Sequence, residues 1–406
     1  MRLTLLSKRK TTAPRWWNTK YLIRSLLVGV PLALSYRLLV INPQQDMIKF
    51  QLQISLADAD NTPGSADTSS GERTSSKYGS ESNKKQYGYV SCPDVITRSK
   101  QEDFYDPNKG MDESPKRHTI TSPPFWVSLH KEWFDRQRWN SIMKKGPYYE
   151  IGLTNIFKEI LNNTKTTTST PPGLVLDVGM NIGWFTLWSR THGHSVAAFE
   201  PNPIMHVRVC ESLALNSWDT DGSVKIYPYG VANEERVMNL TMGKNPGGSS
   251  FYEDRLAKPF RKSIAVDVVK LDTVAEQEGW LDASGPPIHL MKIDVEGYEN
   301  FVVLGGMKVI QSGKVSNIIV ENSITDEAQV VSFLNFIYQS GYQVHAFLSV
   351  NGDPMSNFQM EDVNRELSLI PSRESTYVYD QSNAPSIRFL ADHTLNMWWV
   401  KRDGQK

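Results

Sequence analysis

The chain of 406 residues allows about two to three domains at roughly 150 residues each, and its 44 basic residues balance 44 acidic ones. Zero net charge argues against a nucleic-acid binder that works through a strongly basic overall field. Two cysteines, Cys92 and Cys210, exclude a disulfide scaffold or a four-cysteine zinc site and leave their own pairing open.

No acidic residue precedes Asp46, whereas Arg2, Lys8, Arg9, Lys10, Arg15, Lys20 and Arg24 do. An apolar run follows at residues 22–41 (LIRSLLVGVPLALSYRLLVI). Twenty helical residues span about 30 Å, enough for a bilayer core. A basic flank ahead of an apolar run predicts a signal anchor, with the N-terminus cytoplasmic and the remainder luminal, in the ER or Golgi. Arg24 and Arg37 leave only residues 25–36 uncharged, a length that also fits a cleaved signal. An organelle transit peptide is a further alternative.

Residues 57–89 contain no Val, Ile, Leu, Met, Phe or Trp. Such a segment cannot bury enough apolar surface to offset its ordering entropy. Residues 46–91 are therefore expected to form a flexible stem. Sequons at Asn162 and Asn239 could carry glycan in a luminal chain. Residues 92–172 are expected to form an N-terminal helical extension, because residues 125–161 are aromatic-rich and Ile151, Ile156, Ile160 and Leu161 suit one helix face.

The period changes after a loop at residues 164–172. Residues 173–177 (GLVLD) read as a strand buried on both faces. A glycine turn, a helix at 184–190, a strand at 196–200, a helix at 204–216 and a strand at 224–228 follow. Apolar runs at 288–295 and 317–321 each precede a helical pattern, and residues 396–401 (NMWWVK) suit a late strand. Residues 236–242 and 263–269 read as two extra strands. Alternating strands and helices predict an α/β domain over residues 173–406, a parallel sheet with helices on both faces.

Asp177, Gly179, Asn181 and Gly183 close the first strand and open a helix, and Glu200 ends the next strand. Glycines let the backbone approach a ligand, the helix start offers free N–H groups, and an acid at Glu200 can accept both ribose hydroxyls. The pattern predicts a nucleoside-cofactor site. It departs from G-x-G-x-x-G, leaving less allowance for a pyrophosphate. Asp177 is placed to hold a cationic group, which favours S-adenosylmethionine.

The segments LDVGMNIGWFTL, FEPNP, KLDTV and MKIDVEGYE, in this order between about Gly173 and Ser323, resemble the FkbM family of S-adenosylmethionine-dependent methyltransferases. The family usually has Ala or another small residue where this chain has Met180, a departure expected to crowd the turn only slightly. The resemblance implies a Rossmann-like seven-stranded fold and methyl transfer, commonly to a hydroxyl oxygen. By position it implies cofactor contacts from Gly179, Asn181, Gly183 and Glu200, and an acidic pair at Asp294 and Glu296.

A hydroxyl acceptor needs a general base. Asp294 and Glu296 flank Val295 at the carboxyl end of a strand, where open α/β sheets bind ligands. Asp294 is expected to border the methyl and amino groups of the cofactor, and Glu296 to act as base, unless it caps the helix near Glu299. Glu321 and Asn322 could line the acceptor pocket, Lys292 could pair with an acid, and His289 or His345 could serve as base. The expected acceptor is a small molecule or a glycan; no metal and no nucleic acid is expected. A membrane-tethered glycosyltransferase using Asp219 and Asp221, or a non-catalytic binding module, are the rival readings.

Overall fold

The computed structural model describes residues 86–100, 114–132, 135, 138, 140–144, 146, 149–163, 173–242, 246–252, 262–323, 327–349, 355, 360–368 and 395–402. The proposed anchor at 22–41 and most of the stem lie outside these residues. Among the described residues no helix is long and apolar enough to cross a membrane.

The chain begins with α1 (Cys92–Arg98), β1 (Lys116–His118) and β2 (Trp126–Ser128), then a π-helical turn at Asn140–Lys144 and α2 (Ile151–Asn163). The alternation then runs β3 (Leu174–Val178), α3 (Trp184–Thr191), β4 (Ser195–Phe199), α4 (Pro203–Leu215) and β5 (Val224–Tyr227). A small sheet is made by β6 (Gly230–Val231), β7 (Arg236–Met242) and β8 (Lys262–Val269). The remainder is α5 (Leu271–Gln277), β9 (Ile288–Ile293), α6 (Glu299–Gly305), α7 (Met307–Gln311), β10 (Val315–Asn322), α8 (Glu327–Gln339), β11 (Tyr342–Leu348), α9 (Met360–Ser368) and β12 (Leu395–Lys401).

Seven strands form one sheet in the order β11-β12-β10-β9-β3-β4-β5. Pairing is parallel from β10 through β5, while β12 runs antiparallel between β10 and β11. The sheet is therefore mixed rather than parallel throughout as expected, because the late strand β12 is inserted antiparallel inside it. Every residue of β3 is buried because both faces are covered. Leu174, Leu176 and Val178 face one core with Val302 and Phe333. Val175 faces the other, with Ile156, Leu187 and Val207. The two extra strands pair as expected, antiparallel from Arg236↔Val268 to Met242↔Lys262.

Two expectations are corrected. The extension is not a helical layer: residues 126–128 pair with 116–118 as strands, and α2 begins only at Ile151. Ile151 is 60% exposed, so the buried face of α2 is formed instead by Leu153, Ile156, Phe157, Ile160 and Leu161. The packed region also starts before Cys92. Tyr87 is buried, its N–H donates to Gln277 Oε1 at 2.6 Å, its hydroxyl donates to Glu235 Oε2 at 2.7 Å, and Val90 N–H donates to the Ile226 carbonyl. Cys92 and Cys210 form a disulfide that joins α1 to α4.

Candidate functional site

The glycine turn is bent by left-handed residues at alternate positions: Gly179 at φ 86°, Asn181 at φ 55° and Gly183 at φ 78°. The amides of Gly179 and Met180 both donate to the Phe199 carbonyl at 3.0 Å, tying the turn to the end of β4. At Gly179 a Cβ would sit 2.8 Å from the Asp294 carbonyl carbon and closer still to its oxygen. This glycine is therefore required by the close approach of the acidic loop. Gly183 serves packing: a Cβ there would meet Val209 Cγ2 at 2.8 Å. Met180 is buried in the core with Ile182 and Trp184, so it does not crowd the cleft.

The cleft, about 590 Å³ including its open mouth, is lined by Gly179, Asn181, Glu200, Asp294 and Glu296 among others. Thus five of the residues singled out from the sequence meet at the carboxyl ends of β3, β4 and β9. Gly183 and Asp177 are not on its wall. Asp177 is 1% exposed, accepts from Thr186 Oγ1 at 2.6 Å and lies 3.8 Å from Lys292 Nζ. Its cation is thus Lys292, which faces it across the β3–β9 register. Burial pushes the Asp177 carboxyl up, against Lys292 and the Thr186 hydrogen bond.

Lys292 is buried and donates to Asp294 Oδ2 at 3.0 Å and to the Gly179 carbonyl at 3.3 Å. Burial opposes its charge, but Asp294 and Asp177 outweigh that and raise its pKa. One ammonium therefore braces the turn, the strand end and the acidic loop together.

Glu200 is 8% exposed, with Oε2 accepting from Asn181 N–H at 3.0 Å and Oε1 from Asn202 N–H at 2.9 Å. Burial pushes it up to about 7, the two backbone N–H groups opposing the rise. Asn202 caps α4 by accepting from Ile204 N–H at 3.1 Å.

Asp294 follows β9 directly, and its N–H donates to the Val178 carbonyl at 3.0 Å. Burial disfavours its charge. Lys292 and hydrogen bonds from Glu321 and Lys292 prevail and hold it below the usual carboxylate range. The Asp294 carboxylate and burial push the neighbouring Glu321 up to about 11. Glu296, at φ 55°, heads a tight turn with Gly297 at φ 101°. The capping alternative for Glu296 falls to Glu299, which accepts from Gly297 N–H at 2.8 Å and Val295 N–H at 3.3 Å. Glu299 is fully buried, and burial raises it to about 7. A carboxylate in the first turn of a helix was the available signal for it.

Sequence reasoning missed the loop at residues 246–251. Asn181 Nδ2 donates to the Gly247 carbonyl at 3.0 Å, Asn202 Nδ2 to Ser249 Oγ at 3.2 Å, and Ser250 Oγ to the Glu296 carbonyl at 3.0 Å. This loop thereby joins the cofactor turn, the start of α4 and the acidic turn. Tyr229 and Phe251 add aromatic walls. No motif marks either residue.

The remaining candidates sit elsewhere. His289 opens β9 at the opposite edge of the sheet and contacts the His194 ring at 5.3 Å. His345 is exposed on β11 against Trp398, and Asn322 is buried in the sheet. Asp221 pairs with Arg190 at 2.6 Å in the turn before β5, also at the far edge from the cleft. That placement removes the acidic triplet on which the glycosyltransferase reading rested.

A doubly wound sheet with a glycine turn and a nucleoside-type acid is a Rossmann-like nucleoside-cofactor fold. Residues 177–352 match the family model described as the methyltransferase FkbM domain. The matched segment is similar to that domain, and the cofactor is S-adenosylmethionine. No curated protein matches the chain significantly. Among solved structures, a SAM-dependent methyltransferase from Agrobacterium tumefaciens is similar at 7% identity, covering 72% of each chain with a TM-score of 0.36. TYW2 of M. jannaschii, solved in complex with AdoMet, is similar at 12% identity over 58% of this chain and 77% of its own, with a TM-score of 0.26.

Proposed function

We propose that this protein transfers a methyl group from S-adenosylmethionine to a hydroxyl of a sugar, glycan or small metabolite. The observation that carries this reading is the Glu200 carboxylate, clamped by Asn181 N–H and Asn202 N–H at the cleft wall. The cleft fits the cofactor: Gly179 brings bare backbone to it, Glu200 offers a carboxylate to ribose hydroxyls, and Asp294 offers one to the amino group. When bound, the sulfonium supplies an electrophilic methyl and a neutral leaving group. The protein's share is mainly alignment, which can contribute about 7–11 kcal/mol in favourable cases.

Asp294, anchored by Lys292, borders the methyl position. Glu296, raised from the strand end by its left-handed turn, accepts the acceptor hydroxyl proton as general base. Asp177 acts from beneath by holding Lys292, and Gly183 by seating α3 on α4. The domain is read as luminal, tethered through residues 22–41. The Cys92–Cys210 disulfide supports that placement, because such bonds persist in oxidising compartments. The Asn239 sequon on an exposed position of the edge strand β7 is consistent with it.

Calorimetric titration of the full chain with S-adenosylmethionine is the test, beside Glu200→Ala and Glu296→Gln. Micromolar binding should weaken strongly in Glu200→Ala and persist in Glu296→Gln, while methyl transfer is lost in Glu296→Gln. Absence of binding by the folded chain would overturn the reading.

A further inference from the structure

We infer that Tyr87, which lies well before the matched segment at residues 177–352, is a positioning residue for the cofactor: it sets the Tyr229 wall of the cleft from behind. The inference rests on the S-adenosylmethionine reading of that cleft.

Tyr229, Gly230 and Val231 all line the cleft. They follow β5, and β5 is tied to the ribose-side acid, because Glu200 N–H donates to the Tyr227 carbonyl at 3.1 Å. The wall therefore stands on the Glu200 side. Its three residues are held in different ways. Gly230 and Val231 belong to β6 and pair with Val268 and Val269 of β8. A Cβ at Gly230 would also meet Phe251 Cζ at 2.6 Å, so this part of the wall is closely seated. Tyr229 lies between the two sheets, since β5 ends at Tyr227 and β6 begins at Gly230. Strand pairing does not fix its ring. Packing does: the half-buried Tyr229 ring meets the Tyr87 ring edge to face, with centres 5.3 Å apart and planes at 76°. That is a favoured aromatic arrangement.

Tyr87 is itself fixed at both ends. The Gln277 side chain accepts from Tyr87 N–H and donates to the Tyr87 carbonyl, each at 2.6 Å. The Tyr87 hydroxyl donates to Glu235 Oε2 at 2.7 Å, and Glu235 Oε1 accepts from Thr273 Oγ1 at 2.5 Å. Gln277 and Thr273 both belong to α5. Between these anchors the ring is 1% exposed, in the core with Val231, Val269 and Leu271. A ring tethered through its backbone and its hydroxyl offers Tyr229 a single orientation.

The same segment grips β5 further on. Val90 N–H donates to the Ile226 carbonyl at 2.8 Å, and the Tyr89 ring meets Tyr227 at 6.2 Å. Tyr89 is 54% exposed, so its pair is the looser one and Tyr87 carries the positioning. A contact surface already ordered in its bound conformation raises affinity, because binding no longer bears the cost of ordering it. Tyr87 supplies that order to the one wall residue that no strand holds.

The test is calorimetric titration of the full chain with S-adenosylhomocysteine, in the parent and in Tyr87→Leu, Tyr87→Phe, Tyr229→Ala and the double variant Tyr87→Leu with Tyr229→Ala. Leucine keeps apolar bulk without a ring edge. Phenylalanine keeps the ring and loses only the bond to Glu235. Tyr87→Leu should weaken binding about three- to tenfold, the worth of one aromatic pair or one ordered side chain. Tyr87→Phe should stay within about twofold of the parent, and so should the double variant relative to Tyr229→Ala, because the ring to be positioned is gone. A residue that only stabilised the fold would lower the melting temperature without producing this non-additivity in affinity. Unchanged affinity in Tyr87→Leu, an equal loss in Tyr87→Phe, or additive losses in the double variant would each overturn the inference. If Tyr87→Leu does not fold, Gln277→Ala, which releases the Tyr87 backbone, takes its place in the cycle with the same expected and refuting results. Failure of the folded parent to bind S-adenosylhomocysteine would instead remove the cofactor reading itself.

Discussion

Replacing Gly179 with alanine should abolish cofactor binding, and the structure contains its own control. At 179 the residue sits at φ 86°, and a Cβ would approach the Asp294 carbonyl carbon to 2.8 Å. Carbon atoms in good contact lie about 3.5–4.0 Å apart. The acidic loop must therefore retreat by at least roughly 0.7–1.2 Å, more for the still closer carbonyl oxygen, or the glycine turn must. Either movement strains the Asp294 N–H to Val178 bond and the Lys292 contacts that align the turn with Asp294. A misplacement of about 1 Å can cost about a hundredfold. Gly193 has nearly the same backbone, φ 91°, but nothing lies within 4 Å of its Cβ position. Gly193→Ala carries the left-handed penalty of about 1–2 kcal/mol without the clash. Calorimetry with S-adenosylmethionine and urea unfolding of both variants separate the two contributions. We expect Gly193→Ala to lose about 1–2 kcal/mol of stability and to bind normally. Gly179→Ala should lose more and bind about a hundredfold more weakly or not at all. Equal cofactor affinity in the two variants would refute the close-approach argument.

Two further outcomes follow from the same geometry. Glu200 titrates near 7 in the folded chain, above the ordinary glutamate range. Its contribution to stability is fully present below that range and is lost as pH rises through about 7. The carboxylate needed by ribose hydroxyls appears over that same interval. Cofactor affinity should therefore fall up to about thirtyfold from pH 8 to pH 5.5 if only the ionised form binds. Titrations across this range should show a much flatter profile for Glu200→Gln, and a flat profile for the parent would sink the assignment. The Cys92–Cys210 bridge closes a sequence separation of 118 residues. Its removal by Cys92→Ser with Cys210→Ser should cost about 2–5 kcal/mol in denaturant unfolding. Alkylation of freshly lysed cells should find neither thiol reactive, and labelled Cys92 and Cys210 would exclude the luminal placement.

The alternation of strands and helices was legible, though not the strand order, because β3, β4, β9 and β10 are apolar runs and because Gly179, Asn181 and Gly183 sit between strand and helix. Asp177 was legible as a site acid but not as the counter-ion of Lys292. That pairing depends on the register between β3 and β9, residues separated by the whole cofactor half of the domain. The aromatic run at residues 125–161 carries no clean period, because Trp126–Ser128 is a short strand and Glu150 a left-handed break before α2. Arg138 and Gly247 have no motif; only the folded chain brings the guanidinium onto that glycine. The disulfide, likewise, requires α1 to lie against α4.

The place of β12 bears on how the chain assembles. It is made after every other strand of the sheet, yet it lies inside, pairing with β10 on one side and β11 on the other. Until it docks, β10 presents an unpaired edge of Ile318, Ile319 and Val320, and β11 has no neighbour. Open edges of that kind template association between chains, and closing such long-range pairings is slow. The nascent protein therefore depends on its final strand for protection as much as for structure. Chain ends that stop short of Leu395 should accumulate as aggregates rather than as a soluble, smaller sheet.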